Sequence, residues 1–145
     1  NTIERKPKIR YFEGWEGIKN VYKDTLRYPN REILMWATAE VFTEFDLDFM
    51  LDYYLVQRVK KRISMRAIGP DIPRVRAIAA DDKRYLRETR LTPYHQFPFE
   101  VEINLYGSHS IGIMAFKEQM GLIIESKKIS TTLKSIFELN WMMLK

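Results

Sequence analysis

The stretch EILMWATA, residues 32–39, decides the fold because it is an almost unbroken run of apolar residues. A strand with one wet face alternates apolar and polar residues, whereas a strand buried on both faces does not. Strands of the second kind lie in sheets that helices cover on both sides. We therefore expect residues 32–39 to form a central strand of a helix-covered, mostly parallel sheet.

The segments around this strand alternate between strand and helix patterns. KIRYFEG (8–14) is rich in strand formers and stops at a glycine, and WEGIKNVYKDTL (15–26) has the three- and four-residue apolar spacing of a helix. After the central strand, Thr43 can cap a long helix that reaches about Arg62. The apolar stripe of that helix consists of Phe42, Phe45, Phe49, Tyr53, Val56 and Val59.

The alternation continues into the second half of the chain. ISMRAIG (63–69) predicts a third strand, and residues 73–88 predict a helix or two helical pieces. The order β-α-β-α-β-α is typical of an α/β layered domain with parallel strands and right-handed crossovers. We expect residues 1–145 to form a single domain.

The last third of the chain has a different pattern. TRLTP (89–93) predicts a strand at the edge of the sheet, and EVEINLYG, SIGIMAF and GLIIES, within residues 100–126, predict three short strands joined by turns. A β-meander of this kind extends the sheet and makes it mixed. The closing amphipathic helix is expected to turn five residues inward, namely Ile129, Leu133, Ile136, Phe137 and Trp141.

The composition excludes several kinds of site. With no cysteine among its 145 residues, the chain has no disulfide, no thiolate metal site and no cysteine nucleophile. His95 and His109 fall in different loops, so we expect no metal centre and no cofactor. No apolar run has the length of a membrane span and the charged start NTIERKPKIR is unlike a signal peptide, which predicts a cytoplasmic location away from membranes. Because the chain begins without Met, we expect it to be part of a longer polypeptide.

Residues 58–90 carry most of the positive charge. This segment has eleven Lys and Arg residues against four Asp and Glu residues, whereas the net charge of the whole chain is +5. Such a segment is typical of a surface that binds phosphate, nucleic acid or another anion. The alternative is a solvated face with dispersed arginines.

The strand within residues 100–107 carries the first candidate site. Glu102 and Asn104 alternate along the strand, so their side chains point to the same face, and His109 follows in the next turn. The three residues fit a disabled active site, a rebuilt binding site, or polar residues on a wet face. His109 by itself also fits a polar turn residue.

A pocket beyond the carboxyl ends of the strands is the second expectation, because ligands of open α/β sheets bind there. Glu13 ends the first strand, Trp36 lies toward the end of the central strand, and Arg66 lies in the third strand. These three residues are therefore added to the candidate ligand-binding set. The alternative for Trp36 is simple packing beneath the helix that follows it.

Three segments resemble the carboxy-terminal region of TrmB-type transcriptional regulators, namely KIRYFEGWEGIKNVYKDTL (8–26), FPFEVEINLYG (97–107) and GLIIESKKISTTLKSIFELNW (121–141). The resemblance implies a regulatory domain with a phospholipase-D-like fold that follows a winged-helix DNA-binding domain outside this sequence. It also implies a homodimer and a small-molecule effector, which is sugar-like for some members of the family. DNA would then be bound only through the missing amino-terminal domain.

The resemblance also invites a comparison with the phospholipase D motif H-x-K-x4-D, in which His attacks phosphorus and Lys neutralises the phosphate. The best match is E-x-N-x4-H, with Glu102 at the His position, Asn104 at the Lys position and His109 at the Asp position. A carboxylate repels a phosphodiester and an amide does not neutralise one, although both can hydrogen-bond a polyol or sugar. We therefore predict a non-enzymatic ligand-sensing and dimerisation domain.

Two alternative functions stay open at this point. One is a phospholipase-D-like phosphodiesterase whose catalytic residues are displaced from the motif. The other is a domain that binds nucleic acid directly through the basic segment 58–90.

Overall fold

A computed structural model describes residues 6–145. One sheet of seven strands contains β1 (Lys8–Glu13), β2 (Glu32–Trp36), β3 (Ser64–Pro70), β4 (Arg87–Thr92), β5 (Glu102–Tyr106), β6 (Ser110–Ala115) and β7 (Met120–Glu125). The helices are α1 (Gly14–Thr25), α2 (Glu40–Glu44), a π-helix (Phe49–Tyr54), α3 (Leu55–Lys60), α4 (Pro73–Ala79), a 3₁₀ turn (Asp82–Tyr85) and α5 (Lys127–Met143). The strands lie in the order β1-β7-β6-β5-β2-β3-β4.

The mixed α/β fold predicted from the sequence is confirmed, and β2 is a central strand as expected. The expectation of a mostly parallel sheet is wrong in its proportions, because only β2 with β3 and β3 with β4 pair in parallel. The other four neighbouring pairs are antiparallel. The cause is the meander, since short turns join only antiparallel neighbours. Strand β1 adds to the outer edge of that meander, against β7, instead of lying beside β2.

The two faces of the sheet carry separate cores. On the face that α1 to α4 cover, here called the α1 face, Ile33, Met65 and Ile123 pack beneath Ile18 and Tyr22. The opposite face, here called the α5 face, packs its apolar residues beneath Phe137 and Trp141 of α5; these residues are Leu34, Trp36, Ile68, Leu105 and Ile111. Because side chains alternate along a strand, neighbouring residues of β2 and β5 belong to different cores.

A close approach between α1 and the meander depends on glycine. A Cβ atom at Gly121 would lie 2.7 Å from Val21 Cγ2, and one at Gly112 would lie 3.0 Å from Val21 Cγ1. Cβ atoms do not reach such distances without a shift of the neighbouring atoms, so any larger residue at Gly121 would push α1 away from β7.

The long helix expected from Thr43 to about Arg62 is wrong in its continuity. Helix α2 ends at Glu44, and Phe45 has an extended backbone. The Asp46 side chain then accepts a hydrogen bond from the backbone N–H of Phe49 at 3.0 Å, where the π-helix begins. A π-helix has more residues per turn than an α-helix, so it rotates the inward face. Tyr54 and Arg58 are therefore buried, whereas the predicted stripe residues Tyr53 and Val56 are exposed.

The remaining elements agree more closely with the sequence. Two helical pieces, Pro73–Ala79 and Asp82–Tyr85, lie within the predicted range 73–88, and β4 is an edge strand that overlaps residues 89–93. In α5, Phe137 and Trp141 are buried and Leu133 packs beside them. The prediction that Ile129 and Ile136 also point inward is wrong, since both are exposed. Both lie to one side of the narrow seam along which α5 meets the sheet.

Candidate functional site

A cavity of about 330 Å³ lies on the α1 face of the sheet, above strands β2 and β3. The π-helix and α3 form one wall, and α4 forms the opposite wall. The apolar residues of the lining include Met35, Val41, Phe42, Leu47, Met50, Leu51, Leu55, Met65, Ala67, Val75 and Ile78. Ligand pockets in proteins have this size and this apolar character, with few polar groups among them.

The carboxyl group of Glu102 contributes one of those polar groups and is only 2% exposed. Its Oε2 accepts hydrogen bonds from the Tyr22 hydroxyl at 2.8 Å and from Asn104 Nδ2 at 2.9 Å. Burial raises the pKa of Glu102 to about 7, although the bonds from Asn104 and Tyr22 oppose that rise. The carboxyl group can therefore change charge near neutral pH.

Tyr54 and Arg58 contribute the other buried polar groups of the cavity wall. The Tyr54 hydroxyl is buried without a hydrogen-bond partner, and burial raises its pKa to about 12. The Thr25 hydroxyl, which donates to the Tyr22 carbonyl, opposes that rise in pKa. Arg58 is 0% exposed, and its Nη1 and Nη2 donate to the carbonyls of Ile63 and Tyr85. Its Nε is buried without a partner.

The structure brings two of the predicted site residues together, Glu102 and Asn104. It does not bring His109 to them, because Glu102 and the turn that holds His109 lie at opposite ends of β5. Five strand residues span about 13 Å, so the three residues of E-x-N-x4-H cannot contact one ligand atom. His109 is exposed, and its carbonyl accepts a hydrogen bond from Ser126 N.

The other three predicted residues lie elsewhere on the sheet. Trp36 is on the α5 face, where Nε1 donates to Asn140 Oδ1 at 3.0 Å, so it packs beneath α5 and not beneath the helix that follows it. Arg66 lies on the same face and forms ion pairs with Glu32 and Glu138. Glu13 is exposed at the end of β1, on the edge of the sheet.

Tyr22, Tyr54 and Arg58 are cavity residues that the sequence did not reveal. Tyr22 follows the apolar spacing of α1, and nothing in that spacing marks it as a partner of Glu102, 80 residues away. Tyr54 and Arg58 are four residues apart, a spacing that places them on one helix face. That signal is present in the sequence, but an unbroken helix would have pointed Tyr53 inward instead.

Much of the basic segment 58–90 is used inside the fold. Arg58 is buried, Arg66 and Arg76 form ion pairs, and Arg87 is paired with Asp82 at 2.8 Å. Arg90 donates to the Trp141 carbonyl and lies 4.3 Å from the centre of the Trp141 ring. Lys61 donates to the Leu26 carbonyl at 3.2 Å. Six of the eleven cationic residues therefore have internal hydrogen-bond or ion-pair partners, which weakens the interpretation of the segment as a nucleic-acid surface.

Two further features concern metals and membranes. Among residues 6–145, no three His, Asp or Glu side chains are grouped so that they could hold a metal ion. Within the same range, no helix combines the length and the apolar character that a membrane crossing requires.

The seven-stranded sheet and its covering helices define a phospholipase-D-like fold. TrmBL2, an archaeal chromatin protein whose structure shows a novel mode of DNA binding, superposes with a TM-score of 0.63 at 13% identity. NucT from Helicobacter pylori gives 0.67 at 7% identity, and Nuc from Salmonella typhimurium, a phospholipase D family member, gives 0.64 at 9%. At these identities the likeness shows the fold alone. No protein-family model and no curated protein matches the sequence.

The extent of each match differs. The superposition covers 95% of this chain and 54% of TrmBL2, so the chain spans about half the length of that protein. With NucT it covers 96% of this chain and 98% of the other, and with Nuc it covers 97% of both. The prediction that the chain is not an enzyme is contradicted by the match to Nuc, because the shared fold is that of a phospholipase D family member.

Proposed function

We propose that this chain is the ligand-sensing and dimerising domain of a TrmB-like transcriptional regulator. In this proposal residues 1–145 form one regulatory domain of a cytoplasmic protein, and a winged-helix domain outside the sequence binds DNA. The observation that carries the proposal is the apolar cavity with Glu102, Tyr54 and Arg58 in its lining. The fold shared with TrmBL2, a DNA-binding chromatin protein, supports the assignment to this class.

The position of the cavity suits a sensor. Its floor is the sheet, but its walls are the short helices α2, α3 and α4 and the π-helix. Short helices hold few internal hydrogen bonds, and π-helical turns are frequent at functional sites. A ligand that fits between these walls would favour one arrangement of them, and that preference is the free energy a regulator uses to couple two sites.

A thermal-shift screen with a blocked cavity tests this sensing role. Ala77 is an exposed residue of α4 that lines the cavity, so Ala77→Trp should fill the entrance and leave the core intact. Ala80 is exposed just after α4 and does not line the cavity, so Ala80→Trp is the matched control. A ligand that binds the native state raises the melting temperature. We expect hits with the unaltered chain and Ala80→Trp that disappear with Ala77→Trp; a panel with no hits, or hits that survive Ala77→Trp, would contradict the proposal.

The dimerising half of the proposal rests on the α5 face. Helix α5 crosses this face near β5, β2 and β3, which leaves the outer strands β1 and β7 partly uncovered. Ile9 and Tyr11 of β1 are 67% and 57% exposed there, beside Ile124 and Leu122 of β7. Exposed apolar patches of this kind mark protein contacts. A second copy of the chain can cover the patch in a two-fold dimer, in which each patch meets its own copy.

Phosphodiester hydrolysis is a second candidate, favoured by the match to nearly the full length of Nuc. Residues 6–145 contain two histidines, His95 and His109, and both are exposed. Release of nitrophenol from bis(p-nitrophenyl) phosphate, measured for the unaltered chain, His95→Ala and His109→Ala, tests this function. Turnover that one substitution abolishes would support it, whereas equal rates for all three proteins would exclude both histidines as the nucleophile.

A further inference from the structure

Arg58 is a buried cation without an anionic partner in the described part of the chain. Its two outer nitrogens donate to the backbone carbonyls of Ile63 and Tyr85 at 2.8 Å and 2.6 Å, and these carbonyls carry no net charge. The carboxylate that raises the pKa of Arg58 is Asp82, but Asp82 is paired with Arg87 and also accepts from Thr89. A charge buried without compensation is costly, so an anion that reached Arg58 would be bound favourably.

Tyr54 adds a second donor on the same helix face. Its hydroxyl and the Nε–H of Arg58 are both buried, both without a partner, and both belong to residues that line the cavity. The two side chains are close enough to influence each other's ionisation. Two unused donors four residues apart, on residues of one cavity wall, suit a group with two acceptor oxygens, and a carboxylate is such a group.

The rest of the cavity lining determines the size and polarity of the remainder of the ligand. Besides these donors and the buried Glu102 carboxyl, the polar lining residues include Arg74, Asp81, Arg87 and Thr89, and Arg87 is paired with Asp82. Most of the remaining lining is apolar, chiefly Met, Leu, Val and Ile side chains. A water molecule in the liquid occupies about 30 Å³. At that volume for each non-hydrogen atom, a cavity of about 330 Å³ holds roughly eleven non-hydrogen atoms. An acid of eight carbons, with ten non-hydrogen atoms, fits that volume. A hexose would bury several hydroxyls against apolar walls without partners.

We propose that the cavity binds an anionic amphiphile, a carboxylate with an apolar tail of about six to nine carbons, whose oxygens accept from Tyr54 and Arg58. This inference rests on the proposed sensing function and names the chemical class of its ligand. It replaces the sugar-like effector that the sequence resemblance implied.

Calorimetric titration of the purified chain with octanoate and 1-octanol at pH 6 tests the inference. At this pH a carboxylic acid in water is ionised, whereas Glu102 is mostly neutral and does not repel it. We expect octanoate to bind at least tenfold more tightly than octanol. Tyr54→Phe keeps the ring and removes the unused donor, so it should weaken octanoate about tenfold and change octanol binding less than twofold.

Several results would overturn the inference. Octanol that binds as tightly as octanoate would show that the anion is not recognised, and so would octanoate binding that Tyr54→Phe leaves unchanged. Methyl octanoate gives the same comparison on the unaltered chain and decides the matter even if the variant does not fold. Arg58 is left in place because its outer nitrogens support the backbone of Ile63 and Tyr85. If a sugar binds in a way that Ala77→Trp blocks and octanoate does not bind, this inference fails while the sensing function stands; if nothing in the panel binds, both fail.

Discussion

At the scale of single residues, Glu102 is a carboxylic acid that the fold prefers in its neutral form. Burial raises its pKa from the usual 4.5 to about 7, so the native chain holds a proton that the unfolded chain releases earlier. Stability is therefore greatest below pH 4.5 as far as this group is concerned, and it falls as the pH rises to about 7. The loss is about 3 kcal/mol, at 1.36 kcal/mol for each pH unit between the two values.

Glu102→Gln should remove this pH dependence. Glutamine cannot ionise but keeps an oxygen that accepts from Tyr22 and Asn104, so its urea unfolding free energy should vary less between pH 5 and pH 8 than that of the unaltered chain. Glu118→Gln, at an exposed turn, is the control and should follow the unaltered chain. Parallel curves for Glu102→Gln and the unaltered chain would show that the carboxyl group is already ionised at pH 5.

Tyr22 and Tyr54 should respond in opposite directions when each loses its hydroxyl. Their rings pack edge to face, with centroids 5.0 Å apart, but only Tyr22 has a hydrogen-bond partner. Tyr54→Phe removes a buried unpaired donor and should stabilise the chain by about 1 kcal/mol, or about 2–4 °C in melting temperature. Tyr22→Phe takes a donor from Glu102 and should destabilise by about 1–3 kcal/mol. Thermal and urea unfolding measure both, and equal changes would contradict the assignment of partners.

At the scale of helices and strands, the sequence predicts what depends on local patterns and fails where distant contacts decide. The meander was predictable because apolar alternation and turn residues lie within each hairpin. The break after α2 depends on Asp46, which caps Phe49 and also pairs with Lys19 of α1 at 3.0 Å. Apolar periodicity continues across this break, so it indicated one helix and the wrong inward residues.

In the candidate site, too, local patterns predicted some features and distant contacts decided the others. Alternation along β5 correctly put Glu102 and Asn104 on one face, because the period of a strand is a local property. It could not show that Trp36 and Arg66 face the opposite core, since that depends on which residue of β2 lies beside which residue of β5. The partners of Glu102 include Tyr22 of α1, which only tertiary packing identifies.

The close contact between helix α1 and strand β7 can be tested by substitution at Gly121. Gly121→Ala would place a methyl group 2.7 Å from Val21 Cγ2, so the helix must move or the core must distort. We expect a loss of about 1–3 kcal/mol in the unfolding free energy. Val21→Ala makes room for that methyl group, so the double variant should lose clearly less than the sum of the two single variants. A double-mutant cycle by urea unfolding measures this coupling, and additive losses would mean that the two positions do not meet.

At the scale of the whole molecule, the two faces of the sheet have different uses. The α1 face closes over a cavity, whereas the α5 face holds its helix by Arg66, which pairs with Glu138 and lies over the rings of Phe137 and Trp141. This attachment leaves one side of α5 exposed, where Ile136 lies, and leaves the apolar strand β1 uncovered on the same face. The arrangement places the proposed ligand site and the proposed dimer contact on opposite sides of one sheet.

Ile9→Lys should therefore weaken the dimer without changing the cavity. Ile9 is 67% exposed, and in a two-fold dimer the substitution puts a cation into the interface twice, so the dissociation constant should rise at least about tenfold. Val56→Lys is the matched control, because Val56 is 51% exposed on α3, above the other face of the sheet. Sedimentation equilibrium measures all three proteins. A monomer at high micromolar concentration for the unaltered chain, or equal weakening by both substitutions, would remove the α5 face as the dimer contact, because a contact through the β1 patch must be disturbed by Ile9→Lys and left unchanged by a charge on α3.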